Sequence, residues 1–288
     1  MGRILDGKLI RDQILAELQP RVDALLSTGH PPTLAVVLIG DNPASHVYVK
    51  NKIQACEKLG IQSRKLTPSA DLSTADLLAL VESLNDDPAV HGILVQLPLP
   101  PQIDAARVLN AINPNKDVDG FHPINGGLLL ENAPGMRPCT PSGVMELLRR
   151  YDVPLAGRHA VIVGRSSIVG KPMALLLLHA HATVTICHSK TVDLPEHCRR
   201  ADILVAAIGR AQILGEAHIR PGAIVIDVGM NRLDGKLTGD VEPSAMDRLA
   251  EAYTPVPGGV GPLTIAMLMS NTVLAAERLL GLGHLRAD

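Results

Sequence analysis

Hydrophobic and polar positions along the chain form two blocks in which short apolar runs alternate with helical periodicities. In the first block, segments 34–40 and 92–97 are continuous apolar runs, and 43–59 has the 3.6-residue periodicity of a helix. A strand at 63–67 and a helix at 73–84 complete the block. Because continuous apolar runs are typical of buried parallel strands, this block predicts an α/β domain.

The second block predicts a doubly wound parallel sheet. Its apolar runs are bounded by Gly, Asp or Pro and lie at 160–163, 183–187, 203–208 and 223–228, with a helix at 172–179. The fold class expected from the two blocks is α/β, with two α/β domains of which the second is Rossmann-like.

A proline-rich segment at 134–141 separates the blocks, and Thr140 followed by Pro141 is a typical helix start. A final helix at 264–280 follows the second block with no strand after it, so it is expected to return to the first domain. The predicted domains are residues 1–138 completed by 265–288, and residues 139–264.

Composition restricts the possible partners. With 288 residues and 46% apolar side chains, the chain can bury the cores of two domains, although it has no Trp and one Phe. The net charge of −2 argues against a nucleic-acid or membrane surface. We expect no apolar run of membrane-spanning length.

The cysteines and the N-terminal sequence favour a cytoplasmic protein. Cys56, Cys139, Cys187 and Cys198 show no CxxC spacing, so we expect reduced, mostly buried thiols and no zinc framework. The start, MGRILDGKLI, lacks the apolar core of a signal peptide, and Asp6 stands where a myristoylation signal needs Ser or Thr.

A glycine loop in the second block is a candidate phosphate site. Gly164 and Gly170 lie between the strand at 160–163 and a helix whose first turn contains Pro172. Such a junction can bind a pyrophosphate at the helix N-terminus. Because the GxGxxG spacing is absent, a purely structural turn is equally compatible with these residues.

The end of the next strand indicates which nucleotide the loop would bind. NAD enzymes place an acidic residue there for the ribose 2′-hydroxyl, whereas this chain has His188, Ser189 and Lys190, with Arg165 in the glycine loop. A solvated polar strand end could have the same composition. Because cations and a hydroxyl attract a 2′-phosphate, the combination favours NADP.

The helix that follows the first apolar run carries the candidate acid–base residue. The helix is predicted to be capped by Asn42 and to end at Gly60. Lys52 lies in its apolar stripe, one turn from Tyr48, whereas Lys50 lies on the opposite face. A lysine in that position commonly extends its ammonium to water. The alternative is a partly desolvated amine of lowered pKa that serves acid–base chemistry.

Three further segments are candidate ligand sites. Gln96 ends an apolar strand, where open α/β sheets place ligands, and Asp117 and Asp119 lie in the turn-rich loop NPNKDVDG. Ordinary strand ends and turns have the same residues. The segment TPVPGGVGP at 254–262 has Pro or Gly at six of nine positions, which predicts a shaped, rigid loop.

Six motifs in the same order resemble those of the bifunctional 5,10-methylenetetrahydrofolate dehydrogenase/methenyltetrahydrofolate cyclohydrolase family. They are YVKNK with Tyr48 and Lys52, VQLPLP around Gln96, KDVDG at 116–120, PCTPSG at 138–143, GRSSIVGKP at 164–172 and TPVPGGVGPLT at 254–264. The resemblance covers nearly the whole chain. One departure is Leu128, where family members commonly have a basic residue.

The resemblance implies an enzyme that oxidises methylenetetrahydrofolate by hydride transfer to NADP and then adds water to the methenyl product, giving 10-formyltetrahydrofolate. Both steps are expected to use one folate site in a cleft between two α/β domains, without a metal. Residues 1–138 would form the folate-binding and catalytic domain, and 139–264 the NADP-binding domain. The expected partners are tetrahydrofolate derivatives and a second copy of the chain, paired through the nucleotide domain.

The resemblance also implies roles for individual residues. Lys52 matches the catalytic lysine, assisted by Tyr48 and Gln96, and Asp119 matches the carboxylate that holds the pterin ring. Further expected substrate contacts are Tyr48 and, in the loop that flanks the folate, Pro257, Gly258, Gly259 and Pro262. The expected NADP contacts are Gly164, Arg165, Ser166, Ile168, Val169, Gly170, Ser189, Ile208, Gly209 and Gly229.

Two other classes remain open from the sequence. A monofunctional folate dehydrogenase would keep the NADP loop and Asp119 but usually lose Lys52 and Gln96, which this chain retains. A nucleotide-sensing regulator would need only the Rossmann-like half. Its sign would be NADP binding without turnover of methylenetetrahydrofolate.

Overall fold

The computed structural model describes residues 2–282, which form two compact units. The six-stranded unit contains the chain up to Asp12 together with Pro138–Thr264. The three-stranded unit contains Gln13–Arg137 and residues 265–282.

Parallel strands and helices alternate through most of the described residues. The strands are β1 (Arg3–Ile4), β2 (Thr33–Val37), β3 (Gln62–Leu66), β4 (Gly92–Val95), β5 (His159–Val163), β6 (Thr183–Cys187), β7 (Ile203–Ala206), β8 (Ile224–Asp227), β9 (Asn231–Leu233), β10 (Lys236–Thr238) and β11 (Ala252–Tyr253). The helices are α1 (Gly7–Ser27), α2 (Pro43–Leu59), α3 (Thr74–Asp86), α4 (Ala105–Ala111), α5 (Pro123–Leu130), α6 (Cys139–Arg150), α7 (Gly170–His179), α8 (Leu194–Arg199), α9 (Pro243–Leu249) and α10 (Val260–Leu279).

The three-stranded unit has a parallel sheet in the order β3-β2-β4. Every residue of β2 and β4 is buried. Leu77, Val81 and Leu84 form one stripe of α3 and join the core beneath the sheet. The chain moves from β2 to β3 on one side and later to β4 on the other, so the strand order reverses at β2. Ligands of open α/β sheets bind at such reversal points.

Helix α2 begins and ends as its sequence predicts. The Asn42 side chain accepts the N–H of Ser45 at 3.2 Å, which caps the first turn. Gly60 has φ +79° beyond the last turn, and the Ile61 N–H bonds back to the carbonyl oxygen of Cys56 at 2.9 Å. The register of α2, and therefore the direction of its polar side chains, is thus set at both ends.

The six-stranded unit has a parallel sheet in the order β1-β11-β8-β7-β5-β6. The chain passes from β5 to β6 at one edge and then crosses to β7 on the other side of β5. The reversal point is therefore β5, whose carboxyl end leads into the glycine loop. This arrangement and that of the other unit confirm the predicted α/β class with a doubly wound second sheet.

The N-terminal segment differs from the domain division expected from sequence, which placed all of 1–138 in the first domain. In the structure, β1 pairs with β11, and the Gly7 N–H donates to the Gly258 carbonyl oxygen at 3.0 Å. The chain up to Asp12 therefore belongs to the six-stranded unit. A strand of two residues is too short for hydrophobic periodicity to reveal.

Helix α10 begins at Val260 and not at the expected position 264, so part of the Pro/Gly segment is helical. The helix has 20 residues, and the mean hydropathy of its most apolar stretch is 1.2, so it is long and apolar enough to span a membrane, contrary to the expectation from sequence. However, 61% of its most apolar stretch is buried inside the protein, as in the core helix of a soluble domain. The four cysteines are free and buried, as expected.

Candidate active site

Lys52 and Gln96 form a hydrogen-bonded pair in the three-stranded unit. The Lys52 Nζ donates to Gln96 Oε1 at 3.1 Å, and Gln96 Nε2 donates to the Leu97 carbonyl oxygen at 2.6 Å. The second bond orients the amide so that its oxygen faces the lysine. Lys52 lies on the helix after β2, and Gln96 directly follows the adjacent strand β4. The pair therefore lies where the strand order of this sheet reverses.

The two faces of α2 have the predicted character. Tyr48 and Lys52 are partly buried and one turn apart, whereas Lys50 is exposed. Lys52 is thus held beside a protein acceptor, and its ammonium is not simply extended into water. Lys50 offers a matched lysine on the same helix without that environment.

Asp119 interacts electrostatically with Lys52. Burial raises the pKa of Asp119 to about 6, the positive charge of Lys52 opposes this rise, and Asp117 adds to it. The residue retains some exposed surface, so a ligand can reach it. The structure therefore brings together three of the predicted residues: a lysine, an amide and a carboxylate whose pKa is raised by burial.

A second carboxylate in the same loop holds the backbone that carries Asp119. Asp117 is buried, and its two oxygens accept four donors. These are the N–H groups of Gly120 (3.2 Å), Phe121 (3.2 Å) and His122 (2.8 Å) and the Asn125 side-chain amide (2.8 Å). Asp117 is thus the turn former, and Asp119 is left available for a ligand.

Lys116 and Asn271 anchor the loop further, and the sequence analysis missed both. The buried Lys116 ammonium donates to the carbonyl oxygens of Leu84 (3.1 Å), Asn85 (2.7 Å) and Asp87 (2.7 Å) at the end of α3. The Asn271 amide donates to the carbonyl oxygen of Val118 at 2.8 Å. The local sequence carries no signal of the Lys116 anchor, because Lys116 lies in the polar loop NPNKDVDG and its partners are 29 to 32 residues away.

Leu128, the departure from the family pattern, is a partly buried residue of α5. Its side chain packs against Gly135, where an added Cβ would lie 2.8 Å from the leucine Cδ1. Leu128 therefore makes a local apolar contact within this unit.

The glycine loop of the six-stranded unit needs its glycines for close packing. A Cβ added at Gly164 would collide with the Ala207 carbonyl oxygen, and one added at Gly170 would collide with the Gly164 carbonyl oxygen. Gly164 also has φ +139°. The loop therefore folds tightly over the end of β5, as a backbone that approaches a phosphate must.

The first turn of α7 is bonded within the glycine loop. The Ser166 Oγ accepts the N–H groups of Val169 (3.1 Å) and Gly170 (3.2 Å), and the Ser166 carbonyl oxygen accepts that of Lys171 (3.0 Å). The first N–H groups are thus bonded within the loop. A hydroxyl that accepts twice still has its own proton to donate, so Ser166 can itself bind an anionic oxygen.

Arg165 and Ser189 follow the carboxyl ends of neighbouring strands. Val163 of β5 pairs with Cys187 of β6, and the Gly164 N–H donates to the Cys187 carbonyl oxygen at 2.9 Å. Both candidate side chains are exposed. A guanidinium and a hydroxyl therefore stand at adjacent strand ends, where a ribose phosphate would be recognised.

Two buried carboxylates that the sequence analysis missed hold the loops after β7 and β8. Asp240 accepts the N–H groups of Ile208 and Gly209, and Asp227 accepts that of Gly229. These are three of the expected NADP contacts. Nothing in the local sequence pairs Asp240 with position 208, because the contact spans 32 residues.

The Pro/Gly segment is a shaped loop, as predicted, and it belongs to the six-stranded unit. Its first residue, Thr254, is buried and accepts the Asp227 N–H at 2.8 Å. Gly258 has φ +111°, and the Gly259 N–H donates to the Pro255 carbonyl oxygen at 2.7 Å. Within residues 2–282, no group of three or more His, Cys, Asp or Glu side chains could hold a metal ion.

The six-stranded unit has a doubly wound sheet with a glycine loop at its reversal point, and the second α/β unit carries a lysine, an amide and a carboxylate. These features define a two-domain nucleotide-dependent enzyme. The chain belongs to the tetrahydrofolate dehydrogenase/cyclohydrolase family. Residues 5–119 match the model of the family's catalytic domain, and residues 138–280 match that of its NAD(P)-binding domain. The family confirms the enzyme class expected from the six motifs.

Individual relatives cover nearly the whole chain. The bifunctional protein FolD of Solibacter usitatus is 57% identical, over 98% of this chain and 99% of that protein. The crystal structure of the bifunctional FolD of Campylobacter jejuni superposes with a TM-score of 0.94 at 49% identity, covering 96% of this chain and 99% of that one. The FolD of Trypanosoma brucei, solved with an NADP cofactor and an inhibitor, has a TM-score of 0.91 at 37% identity, covering 96% and 98%.

Proposed function

We infer that this protein oxidises 5,10-methylenetetrahydrofolate to 5,10-methenyltetrahydrofolate with NADP and hydrolyses the product to 10-formyltetrahydrofolate. Membership of the bifunctional family supports both activities. The observation that carries the hydrolytic half is the Lys52–Gln96 hydrogen bond beside Asp119. A dehydrogenase alone needs no such acid–base group.

The redox step requires little chemistry from the protein itself. When bound, NADP supplies the hydride acceptor, so the chain has to bind and orient both reactants, and no metal is needed. The tight glycine loop fits a pyrophosphate, and the exposed Arg165 and Ser189 fit a 2′-phosphate. The remaining NADP contacts proposed are Gly164, Ser166, Ile168, Val169, Gly170, Ile208, Gly209 and Gly229.

In hydrolysis of the methenyl group, the oxygen of a water molecule bonds to the methenyl carbon and loses its protons, while the bond from that carbon to N5 breaks and N5 takes up one proton; one proton is released overall. Lys52 serves this proton transfer, because its Nζ is held by Gln96 at the reversal point of the sheet. Gln96 has its amide nitrogen occupied by the Leu97 carbonyl oxygen, so it presents an acceptor that keeps the lysine in place. Tyr48, one turn away on α2, assists by contacting the folate.

Asp119 binds the pterin ring. An ionised carboxylate can accept two N–H donors from an amidine edge, and charge-assisted bonds of this kind fix the position of a planar ring. Asp117 holds the loop so that Asp119 is presented to the ligand. The rigid Pro/Gly loop contributes the further folate contacts Pro257, Gly258, Gly259 and Pro262.

We assign the folate-binding and catalytic domain to the three-stranded unit and the NADP-binding domain to the six-stranded unit. Family resemblance and the exposed edge strand β6 support a homodimer that pairs through the six-stranded unit. Its Ile186 is 42% exposed, and the nearby Leu178 and Val192 are 53% and 76% exposed. Four buried free thiols and a net charge of −2 support a cytoplasmic enzyme without nucleic-acid or membrane partners.

A spectrophotometric assay tests the proposed function. The purified protein receives methylenetetrahydrofolate with either NADP or NAD, and the absorbance of the methenyl product is followed. We expect NADP-dependent formation of this product and its enzyme-dependent decay. Formation without accelerated decay would identify a monofunctional dehydrogenase, and NADP binding without turnover would identify a regulator.

A further inference from the structure

Asp240 accepts hydrogen bonds from three consecutive backbone N–H groups. Its Oδ2 accepts those of Ile208 (2.6 Å) and Gly209 (2.9 Å), and its Oδ1 accepts that of Arg210 (2.9 Å). The Asn231 side-chain amide donates to the same Oδ1 at 2.8 Å. Asp240 is fully buried, so its charge is balanced by these four donors within the unit.

Asp227 holds Asp240 in turn. At the carboxyl end of β8, its Oδ1 accepts the Asp240 N–H at 2.9 Å and its Oδ2 accepts the Val241 N–H at 2.9 Å. Side chains at Gly229 or Gly239 would collide with the two carboxylates. The two glycines thus let the backbone pass close to both carboxylates, which form one hydrogen-bonded cage.

This network shapes a loop and does not extend the sheet. Strand β7 ends at Ala206, and the three N–H groups held by Asp240 lie beyond it, where they have no strand partner. A buried carboxylate is a costly way to satisfy backbone groups, because its desolvation must be offset by several good hydrogen bonds. Its effect here is to give the turn at 208–210 one conformation beside the reversal point of the sheet.

We propose that Asp240 is a positioning residue for the cofactor: it holds the turn at 208–210 in the conformation that binds NADP. The inference rests on the proposed placement of NADP at Ile208 and Gly209. Asp240 itself contacts neither NADP nor the folate, and it affects NADP binding through the backbone of the turn at 208–210.

Asp240→Asn tests the proposal with little change in size. An asparagine in either orientation directs its NH₂ group at backbone N–H donors, so at least one side of the cage becomes repulsive. Because bonds to a charged acceptor are the strong ones, we expect the KM for NADP to rise about tenfold or more. Cyclohydrolase activity from preformed methenyltetrahydrofolate needs no NADP and should stay within about twofold of wild type.

The two activities make the result decisive. If dehydrogenase and cyclohydrolase activity fall in parallel, Asp240 has only a structural role. If the KM for NADP does not change, the turn at 208–210 does not need Asp240 as an anchor. Either result overturns the proposal. Asp202→Asn is the matched control: Asp202 also accepts a backbone N–H, that of His159, but at the amino ends of the strands, so it should leave the KM for NADP unchanged.

Should Asp240→Asn fail to fold, Asn231→Asp replaces the partly buried amide donor by an oxygen that faces Asp240 Oδ1. It should raise the KM for NADP severalfold with unchanged cyclohydrolase activity, and an unaltered KM would overturn the proposal. Wild type is assayed first. Failure of the proposed function would appear there as absent NADP-dependent turnover, before any variant is compared.

Discussion

At the scale of single residues, we expect the ionisation of Asp119 to make folate binding depend on pH. Burial raises the pKa of Asp119 to about 6, so the carboxylate that we propose accepts pterin N–H donors forms as pH rises through that value. We therefore expect folate affinity to be full at pH 8 and to fall as pH drops below about 6. Titration of the protein with a non-reactive folate by calorimetry measures this.

Asp119→Asn provides the control for the pH effect. The amide does not ionise, so folate binding by the variant should be weak at every pH and lack the transition near pH 6, while NADP affinity should stay close to that of wild type. Wild-type folate turnover by the Asp119→Asn variant would show that Asp119 is an ordinary turn residue.

Also at the residue scale, we expect Arg165 to determine the choice between NADP and NAD. Its exposed guanidinium would face the 2′-phosphate, and charge-assisted contacts contribute about 1.5–3 kcal/mol, roughly ten- to a hundredfold in affinity. Arg165→Ala should lower kcat/KM for NADP by that factor and change kcat/KM for NAD little. A wild-type enzyme that preferred NAD, or an unaltered ratio in the variant, would contradict the assignment.

At the scale of elements, sequence patterns predicted what depends on neighbouring residues. The bounds of α2 and its two caps follow from Asn42 and Gly60, and the buried strands follow from continuous apolar runs. Strands β1 and β11 have two residues each and leave no periodic signal. The anchors at Lys116 and Asp240 were missed because their partners are tens of residues away.

Glycines test the packing of these elements. In Gly170→Ala the new Cβ would collide with the Gly164 carbonyl oxygen, and the resulting strain should cost about 1–3 kcal/mol of stability and weaken NADP binding. Gly126→Ala, in open space on α5, should instead stabilise by about 0.5–1 kcal/mol because alanine favours helices. Urea unfolding of the two variants would give opposite shifts in midpoint. If Gly170→Ala raised the urea midpoint as Gly126→Ala is expected to do, the glycine loop would be shown to tolerate a side chain.

At the scale of the whole molecule, six ordered motifs predicted the family and with it both activities, and the family models confirm that assignment over most of the chain. The sequence also pointed to Lys52, Gln96 and Asp119 separately. Local sequence patterns could not predict that these three residues meet at one reversal point of the sheet. Helix α2, strand β4 and the loop at 116–120 come together only through the sheet order β3-β2-β4.

We expect one lysine to separate the two reactions, because hydrolysis needs a proton carrier while hydride transfer needs orientation. Lys52→Gln keeps hydrogen-bonding capacity but removes the amine. Both activities are measured on the same preparation, with hydrolysis followed from preformed methenyltetrahydrofolate and the spontaneous rate subtracted. Lys50→Gln, on the exposed face of the same helix, is the control.

We predict that Lys52→Gln lowers cyclohydrolase activity by roughly 10²–10⁴-fold, the range expected for a positioned acid–base group, with a much smaller loss of dehydrogenase activity. Lys50→Gln should change neither activity. A Lys52→Gln enzyme that hydrolyses methenyltetrahydrofolate at the wild-type rate would contradict the account and place the proton transfer on another group.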